Sequence, residues 1–211
     1  MGPPGVGKGT QAEQLQVLLG VPHVSTGNIL RAAIQQDGSP LGPKVRQFVE
    51  SGRLVPDGLM GDLIAERLER KDAAGGFILD GFPRTLEQVV ILEGVLGRLG
   101  LELDKVLMLR APEGEIVRRL SGRRTCPKCG AVFHLESRPP SVPGVCDACG
   151  SALEQRPDDT EQVIRERMKV YADQTLPVAA AYRAKGLLIE IDGFGDVSAV
   201  RGRLTSGLER V

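Results

Sequence analysis

The first residues of the chain have the composition and spacing of a loop that binds phosphates. Residues 2–10 read GPPGVGKGT, and their four glycines and two prolines suit neither a strand nor a helix interior. The spacing Gly2-x4-Gly7-Lys8 is typical of loops whose backbone N–H groups surround phosphates while the lysine reaches the terminal ones. Residues 11–19 place leucines on one face, which predicts a helix whose N-terminus adds positive potential. We therefore expect this loop to bind the phosphates of a nucleotide.

This loop departs from the general phosphate-loop pattern at two points. Position 9 is glycine where the pattern has Ser or Thr, so the first hydroxyl follows at Thr10. A phosphate loop also follows a buried strand, usually of about five residues, whereas only Met1 precedes Gly2. We expect the first strand to be missing from the N-terminus, with Met1 an internal methionine read as a start or the first residue of a shortened chain. A chance glycine- and proline-rich turn is the alternative, which the order of loop, lysine and helix disfavours.

An aspartate and a series of arginines complete the residues that suit phosphoryl transfer. Asp80 ends the apolar segment 76–80, and in phosphate-loop proteins such a carboxylate holds Mg²⁺ directly or through water. A helix cap or an ion pair with Arg84 is the alternative. Arg119 and Arg123 are four residues apart, which predicts that they share a helix face and grip one phosphate chain. For any single arginine, the alternative is that it is only a charged residue on a solvated face. The downstream arginines are Arg118, Arg119, Arg123, Arg124, Arg156, Arg165 and Arg167.

The four cysteines of the chain form two pairs with the spacing of zinc knuckles. Cys126-x2-Cys129 is followed after sixteen residues by Cys146-x2-Cys149. Four thiolates with this spacing predict a tetrahedral zinc site that has no open position, and therefore a structural metal. Disulfides or a redox pair are the alternative. His134 lies nearby, but it is surplus to the four ligands, and we interpret it as a surface or packing residue.

Composition narrows the class of protein. The 211 residues contain 27 basic and 27 acidic side chains, so no overall field favours nucleic acid or an anionic membrane. Aromatic residues make up only 3% of the chain, and tryptophan is absent, which argues against binding by base stacking. No apolar run reaches the length of a membrane span, and no secretory signal is visible. We expect a cytoplasmic protein with one α/β domain and insertions.

Short apolar segments alternate with helical patterns along the chain. This alternation predicts a doubly wound parallel sheet, with ligands at the carboxyl ends of its strands. Thr26, Asp80 and Ala111 fall at such ends. The predicted strands are 21–27, 76–80, 105–109 and 187–191. The predicted helical segments are 11–19, 28–55 (small helices broken by glycines and Pro40), 57–71, 85–99, 113–124, 160–185 (apart from Pro177) and 197–208.

Six motifs, in order along nearly the whole chain, resemble adenylate kinase. The resemblance is to the long form, whose mobile lid carries a zinc knuckle, and in that family glycine is normal at position 9. Asn28 replaces the aspartate that is usual in the second motif. We expect a weaker or altered metal requirement from this change, or an effect on the acceptor site. The motifs are GPPGVGKGT at 2–10, STGNILR at 25–31, GRLVPD at 52–57, DGFPRT at 80–85, GRR at 122–124 and RPDD at 156–159.

The resemblance implies three regions and a role for each site residue. The phosphate-loop core would comprise residues 1–24, 56–121 and 160–211, with an AMP-binding insertion at 25–55 and a lid at 122–159. The implied catalytic residues are Lys8, Arg84, Arg123, Arg156 and Arg167. Those implied for ATP are Gly5, Val6, Gly7, Lys8, Gly9, Thr10, Arg119, Arg123, Val132, Phe133 and Gly195. Those implied for AMP are Thr26, Arg31, Arg53, Leu54, Val55, Gly81, Phe82, Pro83, Arg84, Gln88, Arg156 and Arg167. The implied metal ligands are Asp80, through water, for Mg²⁺, and Cys126, Cys129, Cys146 and Cys149 for Zn²⁺.

The reaction implied by the resemblance is reversible transfer of a phosphoryl group from ATP to AMP, giving two ADP. The expected partners are these nucleotides, with Mg²⁺ bound to ATP and structural Zn²⁺ in the lid of a monomer. A kinase for another nucleoside monophosphate, or one that uses GTP as donor, is the nearer alternative. A zinc-ribbon protein that binds nucleic acid is the more distant one, and the balanced charge disfavours it.

Overall fold

Helices and short strands alternate in the computed structural model, which describes residues 1–209. The α/β class predicted from the apolar segments is confirmed. The strands are β1 (His23–Ser25), β2 (Ile78–Asp80), β3 (Val106–Arg110), β4 (Arg123–Thr125), β5 (Val132–His134) and β6 (Leu188–Asp192). The helices are α1 (Lys8–Leu19), α2 (Thr26–Gln35), α3 (Gly42–Ser51), α4 (Asp57–Leu68), α5 (Leu86–Leu99), α6 (Glu113–Ser121), α7 (Glu161–Val170), α8 (Leu176–Ala184) and α9 (Val197–Leu208). None of these described helices combines the length and apolar composition that crossing a membrane requires.

The parallel strands form two pairs. Strand β1 lies parallel to β2, with Ser25 opposite Asp80, and β3 lies parallel to β6, with Arg110 opposite Asp192. Because parallel strands need crossover connections, helices separate these strands along the chain, as the doubly wound prediction requires. The carboxyl ends of β1 and β2 are therefore adjacent, and they carry Ser25 and Asp80 to one edge.

A slot separates the two parallel pairs, and Met1 lies in it. The Met1 amino group donates to the Leu107 carbonyl, and the Leu109 N–H donates to the Met1 carbonyl at 3.0 Å. A cavity of about 520 Å³ opens beside Met1, between β2 and β3. Within residues 1–209 no strand fills this slot. The phosphate loop thus begins next to β3.

Apolar packing holds the helices against these strands. The largest buried cluster joins α4 and α5 to β1, with Ile64 fully buried and Leu92 only 1% exposed. Burying such a side chain contributes roughly 1.5–3 kcal/mol. A second cluster packs Leu15 of α1 against Ile191 of β6 and Leu204 of α9. These contacts fix α1, and with it the loop that begins the helix.

The predicted helix over 113–124 is wrong at its end. Helix α6 stops at Ser121, and Arg123 already belongs to β4, which pairs antiparallel with β5. A Cβ at Gly122 would lie 2.4 Å from the His134 ring, so only glycine permits this close turn into the hairpin. Arg119 and Arg123 therefore do not share a helix face. The i, i+4 spacing predicted a shared face wrongly, because a turn intervenes between the two arginines.

The segment 160–185 is also arranged differently from the prediction. Pro177 does not interrupt it, because it lies in the first turn of α8, where a missing N–H is tolerated. The irregular part precedes it, as a π-helical segment at Tyr171–Thr175 that joins α7 to α8.

Candidate active site

The phosphate loop is shaped by glycines that approach other backbone closely. Gly5 and Gly7 have φ values of 76° and 102°, a region that favours glycine. A Cβ at Gly2 would lie 2.4 Å from the Leu109 carbonyl oxygen, so the loop passes directly over the end of β3. Gly7 precedes α1, whose first-turn N–H groups and dipole favour an anion at this position.

Lys8 lies inside the curve of this loop. Its Nζ donates to the carbonyl oxygens of Gly2 and Pro3, each at 2.8 Å. Burial lowers the pKa of Lys8 to about 7, although the charge of Asp80 opposes the shift. An anion in the loop would favour the protonated lysine, since an opposite charge raises the pKa of an amine.

Asp80 lies at the end of β2, facing the loop. Burial raises its pKa, but the contact with His23 and the charge of Lys8 outweigh this and hold the pKa at about 2. The His23 Nε2 lies 3.4 Å from Asp80 Oδ2. Arg84 is not the ion-pair partner of Asp80. Its Nε donates to the Gly81 carbonyl at 2.7 Å instead. An ionised carboxylate beside the loop is a suitable oxygen donor for hydrated Mg²⁺.

Two aspartates that had no predicted role organise the arginines. Asp159, whose side chain is fully buried, accepts from Arg123 Nε at 2.7 Å and from Arg123 Nη2 at 2.5 Å. Arg167 Nη1 lies 3.2 Å from Asp159 Oδ1 and 2.9 Å from Asp158 Oδ2. Arg156 Nε donates to Thr125 Oγ1 at 2.8 Å. Both aspartates belong to the RPDD motif, which was the only sequence signal that pointed to them.

Arg119 ties α6 to the loop and to the segment after β6. Its Nη1 donates to the carbonyl oxygens of Val6 at 3.2 Å and Gly193 at 3.0 Å, and its Nη2 donates to that of Gly195 at 3.3 Å. Glu115 accepts from Arg119 Nε at 2.6 Å. Hydrogen bonds from Arg118 and then from Arg119 hold the pKa of Glu115 at about 2, against the effect of burial.

One cavity of about 370 Å³ collects most of the predicted site residues. It joins the phosphate loop to the β4–β5 hairpin and to eight arginines, which are Arg31, Arg84, Arg118, Arg119, Arg123, Arg138, Arg156 and Arg167. For two arginines of the downstream series the structure favours the alternative of a charge without a place at the cavity. Arg165 pairs with Glu161 at the surface, and Arg124 donates to backbone carbonyls. Arg118 pairs with Glu115 and Glu136 but also lines the cavity. The predicted residues lining this cavity are Gly5, Val6, Gly7, Lys8, Gly9, Thr10, Arg31, Asp80, Gly81, Arg84, Arg119, Arg123, Val132, Phe133, Arg156, Arg167 and Gly195.

A second, smaller cavity lies between α2, α3 and the segment after β2. Its volume is about 90 Å³, below the roughly 300 Å³ of small ligand pockets, so a nucleotide would have to move these elements apart. Gln88 is engaged within the protein, because its Oε1 accepts from the Arg84 N–H and its Nε2 donates to Asp57 Oδ1, both at 2.7 Å. Phe82 and Pro83 line a neighbouring cavity of about 80 Å³. The predicted residues lining the 90 Å³ cavity are Thr26, Arg31, Arg53, Leu54, Val55, Gly81, Arg84, Gln88 and Arg167.

The four cysteines meet at one point beside the β4–β5 hairpin. Their Sγ atoms all lie within 4.8 Å of one another, with Cys126–Cys149 at 3.4 Å and Cys129–Cys146 at 3.5 Å. Four thiolates around zinc, each about 2.3 Å from the metal, stand about 3.8 Å apart, whereas a disulfide needs about 2.05 Å. This donor set fits a four-thiolate metal site. His134 is outside the cluster, and its Nδ1 accepts from the N–H groups of Glu136 and Ser137.

A phosphate loop at the end of parallel strands, faced by an ionised aspartate and converging arginines, defines a phosphoryl-transfer protein of the phosphate-loop kinase class. Comparison with known proteins narrows this class. The family model described as adenylate kinase matches residues 1–187. The chain belongs to the adenylate kinase family.

Full-length relatives support this assignment. The chain is 47% identical over 211 residues to an adenylate kinase of Kosmotoga olearia, covering 100% of this chain and 98% of that protein. It is 49% identical over 208 residues to an adenylate kinase of Syntrophotalea carbinolica, and the match covers 99% of this chain and 96% of that protein. It is 44% identical over 211 residues to an adenylate kinase of Archaeoglobus fulgidus, and the match covers 100% of this chain and 97% of that protein.

Proposed function

We propose that this protein transfers the γ-phosphoryl group of ATP to AMP, reversibly, giving two ADP. One observation carries the proposal: the 370 Å³ and 90 Å³ cavities meet at Arg31, Arg84 and Arg167, which line both. A donor with its phosphates in the loop and an acceptor in the smaller cavity would bring their phosphates together at these guanidinium groups. Family membership supports the same reaction.

The acceptor is a phosphate oxygen and needs no general base. The second pKa of a phosphate monoester is about 6, so this oxygen is already ionised at pH 7. The barrier lies in aligning two anions and in cancelling their repulsion as charge spreads over the transferred group. Arg123 and Arg167 supply positive charge that Asp158 and Asp159 already orient, and Lys8 is held in the loop by the carbonyl oxygens of Gly2 and Pro3.

Asp80 would hold Mg²⁺ through water, in keeping with its low pKa and its position beside the loop. When bound with ATP, the metal supplies charge neutralisation at the phosphates. Asn28 lines the same cavity as Asp80, and its Oδ1 accepts from Arg31 Nη2 at 2.6 Å. We therefore favour an effect of position 28 on the acceptor phosphate over an effect on the metal.

Two insertions would exclude water from the transfer. We propose residues 25–55 as the acceptor insertion and 122–159 as the lid, mounted on a core of 1–24, 56–121 and 160–211. The first contains α2 and α3, and the second begins at the turn of Gly122 and contains the β4–β5 hairpin. Closure of both over the nucleotides would prevent hydrolysis of ATP.

The lid would be stabilised by Zn²⁺ bound to Cys126, Cys129, Cys146 and Cys149. The hydrophobic cluster of this region is small, with Phe133 as its main apolar side chain. A metal with four protein ligands adds rigidity that so small a core does not provide. We further propose a monomer that acts in the cytoplasm on these nucleotides, and gel filtration at assay concentration tests the oligomeric state.

A coupled assay of ADP formation tests the reaction. ATP with AMP should be the preferred pair in a panel of AMP, UMP, CMP and GMP as acceptors and of ATP and GTP as donors. A higher kcat/KM for another acceptor would overturn the choice of AMP. Tighter binding of an oligonucleotide than of the bisubstrate analogue Ap5A, at about 0.15 M salt, would instead support the nucleic-acid alternative.

A further inference from the structure

Both ends of the Gln88 side-chain amide are held by the protein. Gln88 is only 2% exposed, and its Oε1 accepts from the Arg84 N–H at 2.7 Å. Its Nε2 donates to Asp57 Oδ1, also at 2.7 Å. A glutamine amide has an acceptor group and a donor group of similar size, so two orientations that differ by a half-turn fit the same space. The two partners of Gln88 select one of these orientations.

Asp57 is the partner that forbids the reversed orientation. A carboxylate accepts hydrogen bonds and has none to donate, so it pairs with the NH₂ end of the amide and repels the carbonyl end. Its second oxygen accepts from Thr85 Oγ1 at 3.1 Å, and Thr85 Oγ1 accepts from the Gln88 N–H at 3.1 Å. Asp57 begins α4, and Thr85 directly precedes α5. The carboxylate is therefore held between the starts of two helices.

The oriented amide lines the 90 Å³ cavity, whereas Asp57 lies outside the lining. Among the residues of 1–209 that line this cavity, Gln88 is the single amide side chain. After its two bonds within the protein, Gln88 keeps one N–H and one lone pair for a ligand. The lining also includes the buried apolar side chains of Val55 and Met60. A flat ring with a donor and an acceptor at its edge suits these surroundings.

The order of donor and acceptor decides which purine such an amide accepts. Adenine presents an acceptor at N1 beside a donor at its 6-amino group. Hypoxanthine presents the reverse, a donor at N1 beside an acceptor at its 6-carbonyl. An amide locked in one orientation pairs with one of these edges, and the same amide after a half-turn pairs with the other. The wrong purine leaves like groups facing each other, and buried polar groups without partners are costly.

We propose that Asp57 is a positioning residue that sets the acceptor specificity of this protein, by locking the Gln88 amide in the orientation that pairs with adenine. Asp57 acts through Gln88 and does not touch the acceptor. The inference rests on the proposed function, since it takes the acceptor nucleotide to bind in the 90 Å³ cavity. It assigns the choice between a 6-amino and a 6-oxo purine to a residue behind that cavity.

The test compares AMP with inosine monophosphate, which differ only at positions 1 and 6 of the purine. The readout is the ratio of kcat/KM for AMP to kcat/KM for inosine monophosphate, with ATP as donor. Misfolded protein lowers both values alike, so this ratio does not depend on the folded fraction. Asp57→Leu keeps a similar size without an acceptor atom, and the ratio should fall by about tenfold or more. The KM for ATP should stay within about twofold, because the change concerns the acceptor.

Asp57→Asn is the conservative variant. Its Oδ1 is still able to accept from Gln88 Nε2, so the ratio should stay within about threefold of the parent. Equal losses in the leucine and asparagine variants would attribute the effect to the charge of Asp57 rather than to its acceptor atom, and the proposal would then be wrong. An unchanged ratio in Asp57→Leu would also overturn it.

Two further variants separate positioning from general damage to the fold. Asp62→Asn makes the conservative change at an exposed position of α4 and should leave the ratio unchanged. Thr85→Val removes the cap of α5 and the donor to Asp57, so it should lower the melting temperature. The ratio should nevertheless stay within about threefold, because the bond between Asp57 and Gln88 remains. A fall as large as that of Asp57→Leu would contradict a specific role for Asp57.

A binding measurement keeps this inference separate from the reaction. Calorimetry without ATP gives the dissociation constants of AMP and inosine monophosphate, and it requires no phosphoryl transfer. The parent should prefer AMP, and Asp57→Leu should lose most of that preference. If this pattern appears in a protein that transfers no phosphoryl group, the proposed reaction is wrong and the role of Asp57 stands. If transfer to AMP is measured and the preference is equal in the parent and Asp57→Leu, the reaction stands and the role of Asp57 is wrong.

Discussion

At the scale of single residues, the arginines are distinguished by their partners. Arg167 and Arg165 stand two positions apart on α7, yet Arg167 pairs with Asp158 and Asp159 at the cavity, while Arg165 pairs with Glu161 at the surface. The type of residue is the same, and the direction of the helix face decides which of them lines the two cavities.

Replacing Arg167 by methionine should lower kcat by about 10²-fold or more, because it removes positive charge where the two cavities meet. The matched control is Arg165→Met on the same helix, which should keep kcat within about twofold. Steady-state kinetics with ATP and AMP measure both. Equal losses in the two variants would show that the position of Arg167 has no special role.

The buried carboxylate of Asp159 makes a separate prediction about stability. Asp159→Ala leaves Arg123 and Arg167 without their shared partner, and removing one member of a buried pair destabilises a protein by roughly 3–5 kcal/mol. Urea unfolding measures this loss. Asp37→Ala, at an exposed position, is the control, and its free energy of unfolding should change by less than about 0.5 kcal/mol.

At the scale of elements, α6 is fastened to the phosphate loop through Glu115 and Arg119. Glu115 has a pKa of about 2 in the folded protein, compared with 4.5 as its ordinary value. A carboxyl whose pKa is lowered by folding stabilises the fold fully above its unfolded pKa. That contribution is lost as the pH falls from about 4.5 toward 2.

The direction of this pKa shift determines how the stability of the Glu115→Gln variant should depend on pH. The variant should melt below the parent at pH 7, and the difference should shrink as the pH falls below about 4.5. Thermal melts from pH 3 to pH 7 measure the effect. A difference that stays constant over this range would mean that the charge of Glu115 contributes nothing to stability.

The proposed zinc site predicts how residues 122–159 respond to metal removal. Chelation should increase proteolysis and hydrogen exchange within 122–159, because the hydrophobic cluster of this region is small. A Cys146→Ser variant should show the same mobility before chelation and little change after it. If metal is demonstrably removed and the exchange of 122–159 in the parent stays the same, the structural role of the metal is wrong.

At the scale of the whole molecule, the two cavities predict that a ligand spanning both binds more tightly than a ligand of one. Ap5A spans a donor and an acceptor site, so at the same free concentration it should raise the melting temperature more than ATP does. A dissociation constant 100 times lower adds about 2.7 kcal/mol of stability when both ligands are in excess. Equal shifts at the same concentration would argue against the occupation of both cavities by one ligand.

Sequence patterns predicted much of the local structure, because local structure depends on neighbouring residues. The glycines of 2–10 require a loop, and alternating apolar segments predict parallel strands that end at Asp80. The cysteine spacing predicts a common site, because two short knuckles need only one hairpin to meet. The family followed from the same motifs and is confirmed by the full-length relatives.

The partners of these residues depend on contacts between distant segments, which spacing does not encode. The turn at Gly122 separates Arg119 from Arg123, and Asp159 then gathers Arg123 with Arg167. Hydrogen bonding of Asn28 to Arg31, and of Gln88 to Asp57, likewise becomes visible only in three dimensions.

By itself, therefore, the sequence determined the phosphate loop and the clustering of the four cysteines, since each rests on residues close together in the chain, and the family, since its six motifs follow one another along nearly the whole chain. Only the tertiary structure decided which arginines line the 370 Å³ and 90 Å³ cavities and which do not, and only it revealed the slot beside Met1. The physical reason is that burial and ion pairing are properties of packed elements, and the packing that creates them joins segments far apart in the chain.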